Sequence, residues 1–176
     1  SKAVYKLNYA ITAKSITSED IKMEPVKLTF KKDNTIKDVR FSMYDNGSMI
    51  PAKAYEYKVS EEKSMIKLEI SAKADSNYTG TRTEYISKNL IKASDTKKVK
   101  ISIKDNQKYY YTGNQIKPQI SITDETGVDI SGNFTLEYGK NTSIGQGTVK
   151  VTGKYQNGYY GSKTIKFTIL PKWMEW

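Results

Sequence analysis

The sequence predicts an all-β protein built from two tandem β-sandwich domains, and three observations carry that reading. Residues 66–83 lie over residues 147–164 without a gap at a spacing of 81 residues, so the chain states one design twice. Short apolar runs alternate with polar residues at period two nearly from end to end. Turn-forming clusters rich in Asn, Asp and Gly separate those runs, and no segment shows a sustained helical period.

In the overlay Leu68 and Ile70 fall on Val149 and Val151, Lys73 on Lys154, Tyr78 on Tyr159, Gly80 on Gly161 and Thr83 on Thr164. The same offset carries back to Glu56 and Tyr57, which fall on Glu137 and Tyr138. A spacing of 81 residues exceeds any solenoid unit, so each copy is expected to hold its own core. The domains are drawn at 1–94 and 95–176, with residues 1–20 read as the tail of a preceding linker or strand.

The elements follow in order. Ser18-Glu19-Asp20-Ile21 and its counterpart Ala93-Ser94-Asp95 have a trace of helical character but are read as turns. Strands are expected at Val26, Leu28 and Phe30, at Val39, Phe41 and Met43, at Tyr55 and Tyr57, at Ile66, Leu68 and Ile70, and at 81–86. Asp45-Asn46-Gly47 predicts a tight hairpin turn, because glycine tolerates positive φ. In the second copy Val99, Ile101 and Ile103 alternate, followed by Ile120 and Ile122, by Phe134, Leu136 and Tyr138, by Val149 and Val151, and by Ile165, Phe167 and Ile169. Six or seven strands in about 75 residues is the density of a β-sandwich.

Composition narrows the function. Cysteine and histidine are both absent, which removes disulfides, histidine-dependent catalytic triads and the usual zinc and iron ligand sets. No apolar run is long enough to span a membrane as a helix. The first residues, Ser1 to Lys6, do not resemble a secretory signal, and the chain reads as an excerpt from a larger protein. The net charge is +10, divided evenly: residues 1–92 carry 17 cations against 12 acids, and residues 93–176 carry 12 against 7. Lysines spread over strands suit a solvated surface and guard sheet edges. Only Arg40 and Arg82 are arginines, which argues against nucleic-acid recognition.

Carboxylate pairs such as Asp124 with Glu125, or Glu61 with Glu62, could in principle serve as glycosidase carboxylates, but they are read as lying in turns, where solvation is the ordinary explanation. No serine has a base partner or a strained elbow around it. Calcium at Glu19, Asp20 and Asp95 would need a denser acidic loop, and a Lys–Asn crosslink would need a spatial triad that sequence cannot show. No enzyme activity, cofactor or metal is expected.

A resemblance enters with the second copy. Tyr110-Tyr111-Thr112-Gly113-Asn114-Gln115-Ile116-Lys117-Pro118, then Ile120-Ser121-Ile122, Phe134-Thr135-Leu136-Glu137-Tyr138, Gly147-Thr148-Val149-Lys150-Val151, Tyr159-Tyr160-Gly161-Ser162-Lys163-Thr164 and Phe167-Thr168-Ile169 together resemble the tandem immunoglobulin-like repeats of bacterial cell-surface proteins. The match covers nearly all of residues 98–170. In the first copy Asn77-Tyr78-Thr79-Gly80-Thr81 fits, but Asp33-Asn34-Thr35-Ile36 passes directly where the second copy inserts 109–113. Residues 9–21 resemble a closing strand and its link to the next module, and 167–172 end in the same register, so further repeats are expected on one or both sides.

The resemblance implies non-catalytic, extracellular spacer or stalk modules at a bacterial cell surface, with neighbouring domains of the same protein as partners. The alternative is an adhesion module that binds glycan, host protein or anionic cell-wall polymer through a tyrosine-rich or basic face, with no nucleic acid and no membrane insertion. The Tyr-Thr-Gly motifs at 78–80 and 111–113 are read as sheet-corner structure, because a recurring motif serves the fold. Tyr109, Tyr110, Tyr155 and Tyr160, absent from the first copy, are the candidate ligand-binding residues.

Overall fold

The computed structural model describes residues 12–175. The closing strand expected at Tyr9-Ala10-Ile11 lies outside them, as do Ser1 to Lys6. The described chain is all-β, in several sheets with short 3-10 turns and no α-helix. It divides into two compact units, one running to Glu62 and taking in Ile66–Glu84, the other comprising Lys63–Met65 and the chain from Tyr85 onwards.

The strands of the first copy are β1 (Lys14–Ser15), β2 (Ile21–Phe30), β3 (Ile36–Asp45), β4 (Ser48–Met49), β5 (Tyr55–Glu62), β6 (Met65–Ala72), β7 (Tyr78–Thr79) and β8 (Thr81–Ser87). β2, β3 and β4 form one sheet, β5, β6 and β8 another, and β1 pairs in parallel with β7. β6 buries Ile66, Leu68 and Ile70 at every second position, as period-two alternation requires. Ser18 to Asp20 form a turn, as expected. Asn46 and Gly47 both have positive φ between the paired residues Asp45 and Ser48, the two-residue turn that the Asn-Gly pair specifies.

One strand departs from its predicted phase. β2 buries Ile21, Met23 and Pro25, and the ladder to β3 slips between Pro25 and Lys27, leaving Val26 41% exposed rather than inward. Proline has no N–H for a ladder, so a bulge beside it loses little, and the extra residue resets the inward face to Leu28 and Phe30.

The second copy continues with β9 (Ile91–Lys92), β10 (Lys100–Ile103), β11 (Tyr109–Tyr110), β12 (Ile120–Thr123), β13 (Phe134–Tyr138), β14 (Gly145–Gly153), β15 (Tyr159–Tyr160) and β16 (Ser162–Leu170). Four strands form a sheet in the order β11-β16-β14-β13; β10 pairs with β12, and β9 runs parallel to β15. The β10–β12 ladder lays Val99, Ile101, Ile120 and Ile122 against Phe134 and Val151 of the larger sheet, with Ala93 filling the same core. Val149, Phe167 and Ile169 form the adjoining core with Ile103, Tyr109, Ile116 and Tyr138.

The duplication extends to individual main-chain hydrogen bonds. Ile16 donates its N–H to the Thr79 carbonyl at 2.9 Å, and Ala93 to that of Tyr160 at 2.8 Å. Ala72 donates to Gly80, and Gly153 to Gly161, both at 3.0 Å. Lys73 donates to Ala54, and Lys154 to Asn133. This last correspondence corrects the sequence overlay: Lys73 matches Lys154 at a spacing of 81, but Ala54 matches Asn133 at 79. The β13–β14 hairpin is two residues longer than the β5–β6 hairpin, so Glu56 and Tyr57 stand opposite Thr135 and Leu136, not Glu137 and Tyr138. A slip of two residues keeps every side chain on its own face, so the apolar pattern does not reveal it.

The copies part after the second strand. In the first, β2 turns back directly into β3, with Lys31 donating to the Thr35 carbonyl at 2.8 Å. In the second, β10 ends in a 3-10 turn at Lys104–Asn106, and the inserted β11 joins β16 in the other sheet.

Candidate functional site

The four tyrosines singled out from sequence do not form one face. Tyr109 and Tyr110 pair with Ile169 and Leu170 at the far end of β16, and the Tyr109 ring meets Phe167 edge-on at 5.4 Å. Tyr155 opens the 3-10 turn after β14, and Tyr160 pairs with Lys92 of β9, both at the end where β16 begins. Eight residue steps along β16 separate the two pairs, about 26 Å at a strand's rise. All four are half-buried. The β14–β16 hairpin holds its turn and its open end apart, which spacing along the chain could not show.

The Tyr-Thr-Gly motifs divide their labour. Gly80, Gly113 and Gly161 all have positive φ, the glycine part of the expectation. The hydroxyl part differs. Tyr78 donates to the Asp45 carboxylate at 2.9 Å, whereas the tie from hydroxyl to backbone is made by Tyr138, which donates to the Pro118 carbonyl at 2.7 Å.

The carboxylate pairs are engaged in structure. Asp124 accepts hydrogen bonds from the Thr126 hydroxyl at 2.7 Å and N–H at 2.8 Å, and from the Val128 N–H at 3.0 Å; these, the hydroxyl foremost, hold its pKa below the usual range. Glu61 accepts from the Ile36 N–H at 2.7 Å, and Glu62 pairs with Lys67 at 3.3 Å. Among the described residues no group of three or more acids is placed to hold a metal ion.

A polar cluster ties the entry of the first copy to its hairpin. The Lys14 ammonium meets Asp45 at 2.6 Å and Asp20 at 3.0 Å, and Asp45 also receives the Tyr78 hydroxyl. The Asp45 contact, then Asp20, raises the Lys14 pKa; the bonds from Lys14 and then Tyr78 lower that of Asp45. Both shifts favour the ionised forms, opposite to the neutral amine and acid that would condense to an amide.

The first copy also carries two clefts. The larger, ≈ 310 Å³, is walled by Pro51, Lys53, Ala54 and the turn from Asp75 to Tyr78. The smaller, ≈ 200 Å³, lies between β3 and β5 and is lined by Val39, Arg40, Phe41, Ala52, Tyr55 and Tyr57. Phe41 is the hub of its aromatic wall: Tyr57 meets it edge-on at 5.0 Å, and Tyr55 lies tilted at 5.6 Å. Tyr57 is 40% exposed and donates its hydroxyl to Asp38 at 2.9 Å; burial, then that bond, pushes its pKa up.

In the sequence Tyr55 and Tyr57 carry only the alternation of a strand, which does not mark this wall. A signal was present in the comparison of copies. At the structural spacing of 79 the counterparts of Arg40, Phe41, Tyr55 and Tyr57 are Gln119, Ile120, Phe134 and Leu136, so Arg40 and the tyrosines belong to the first copy alone. At a spacing of 81, Tyr57 falls on Tyr138 and is masked as a shared position.

No family model matches the chain, and no curated protein or solved structure matches it.

Proposed function

We propose that the chain is a pair of immunoglobulin-like β-sandwich modules that act as a non-catalytic spacer or stalk in a bacterial cell-surface or secreted protein. The observation that carries this reading is the repetition of main-chain bonding. In each copy a short entry strand runs parallel to a late strand of the same copy, β1 with β7 and β9 with β15, so each copy closes on itself. Closure of that kind suits units strung in series, each able to bear load without its neighbour.

Other features agree with a mechanical role. Among the described residues no buried side-chain polar atom lacks a hydrogen bond; Asp124 closes a turn, Glu61 accepts the Ile36 N–H from within β5, and Glu62 meets Lys67. The arrangement of Tyr109 against Phe167 serves the core. The partners of such a module are the neighbouring domains of its own protein.

Pulling the chain from its two ends tests the reading. Two separate unfolding events are expected, each releasing about 25–30 nm of contour for some 80 residues. A single event releasing the whole length would overturn autonomous modules.

A further inference from the structure

We infer that the cleft between β3 and β5 is a binding site for one acidic sugar ring, a pyranose bearing a carboxylate, as found along uronic-acid polysaccharides. Its volume of ≈ 200 Å³ falls below the roughly 300 Å³ at which drug-sized pockets begin, so it admits one ring of a polymer and leaves its neighbours outside. Tyr57 supplies a partly exposed aromatic surface whose position is set at two points, by its edge contact with Phe41 and by its hydroxyl on Asp38. A ring held in that way stacks on a sugar with little ordering left to do.

Arg40 selects the charge. It is one of two arginines in the chain, it is exposed at the cleft wall, and while its main chain lies in the β2–β3 ladder opposite Lys27, its guanidinium makes neither an ion pair nor a hydrogen bond with the described residues. A guanidinium presents a planar fork that matches a carboxylate in two parallel hydrogen bonds, which the ammonium of lysine cannot reproduce. The net charge of +10 favours the approach of a polyanion. The second copy offers glutamine and leucine at the two decisive positions, so the site is private to the first.

Titration of the whole chain with a glucuronate-containing tetrasaccharide, and with neutral cellotetraose, tests this inference at low and at physiological salt. Saturable binding of the acidic sugar is expected, with the neutral one at least tenfold weaker. Tyr57→Ala and Arg40→Gln should each weaken binding at least fivefold, while Tyr111→Ala, at an exposed tyrosine of the other copy, should leave it unchanged. Arg40 is exposed, so its variant keeps the fold and separates lost binding from lost structure. Absence of saturable binding, equal binding of the neutral sugar, or binding that survives Tyr57→Ala and disappears with salt would each overturn the proposal. None of these outcomes bears on the pulling experiment, so the spacer reading and the sugar site stand or fall separately.

Discussion

Gly147 and Phe167 face each other across the β14–β16 ladder, and a Cβ added at Gly147 would run into the Phe167 ring. The first copy holds Ile66 and Ile86 at the matching positions, both fully buried, so the same core space is shared as medium with medium in one copy and small with large in the other. Gly147→Ala is therefore expected to destabilise the second copy by about 1–3 kcal/mol, read from chemical denaturation, and Phe167→Leu in the same chain should recover part of that loss. Asn141, at positive φ, is the one buried polar residue among the described set. Its Nδ2 donates to the Ile116 and Thr148 carbonyls, both at 3.0 Å, and its Oδ1 accepts the Thr148 N–H at 2.9 Å. Asn141→Ala would strand the Ile116 carbonyl and the Thr148 N–H, while the Thr148 carbonyl keeps the Gly139 N–H at 3.0 Å, an expected loss of about 2–4 kcal/mol in the same denaturation experiment.

At the level of elements, the short parallel strands set the limits of each copy. Ala93 donates its N–H to the Tyr160 carbonyl and fills the core beneath β10, so a boundary at 94/95 would strip β9 and a core residue from the second copy. A fragment beginning at Lys88 is expected to melt in one cooperative transition, and one beginning at Thr96 to melt at a lower temperature, as followed by circular dichroism. In the first copy, Lys14 of β1 meets Asp45 at the end of β3, and the two groups give stability a pH window. The lowered Asp45 pKa contributes stability that is present above the ordinary carboxylate value near 4 and lost as pH falls through the folded value. The raised Lys14 pKa contributes stability that is present below its ordinary value near 10.4 and lost as pH rises through the folded one. Asp45→Asn should lower the melting temperature at pH 7, and the gap to the parent chain should close as pH drops below about 4.

Over the whole molecule, the duplication was legible because a core face repeats the same alternation wherever the same strands recur. β6 and β14 read correctly from Leu68, Ile70, Val149 and Val151 for that reason. The bulge at Val26 was not legible, since its cause is the missing N–H of Pro25 within a ladder whose register depends on β3. The candidate site was legible only in kind. Aromatic residues that differ between copies mark it, but an overlay at 81 pairs Tyr57 with Tyr138 and leaves as copy-specific the tyrosines at opposite ends of the β14–β16 hairpin. Calorimetry is expected to keep the copies distinct, with Gly147→Ala shifting one transition and Asp45→Asn the other.

Alternation, turn chemistry and internal repetition were enough, from sequence alone, to determine an all-β chain that repeats one plan, because those properties are local and each residue reports its own face. Tertiary structure alone decided the two-residue slip between the copies, the partnership of Lys14 with Asp45, and the meeting of Phe41, Tyr55 and Tyr57 around a cleft beside Arg40. Those features arise where strands distant in sequence are brought side by side, and a pattern of period two is blind to which strand comes to lie beside which.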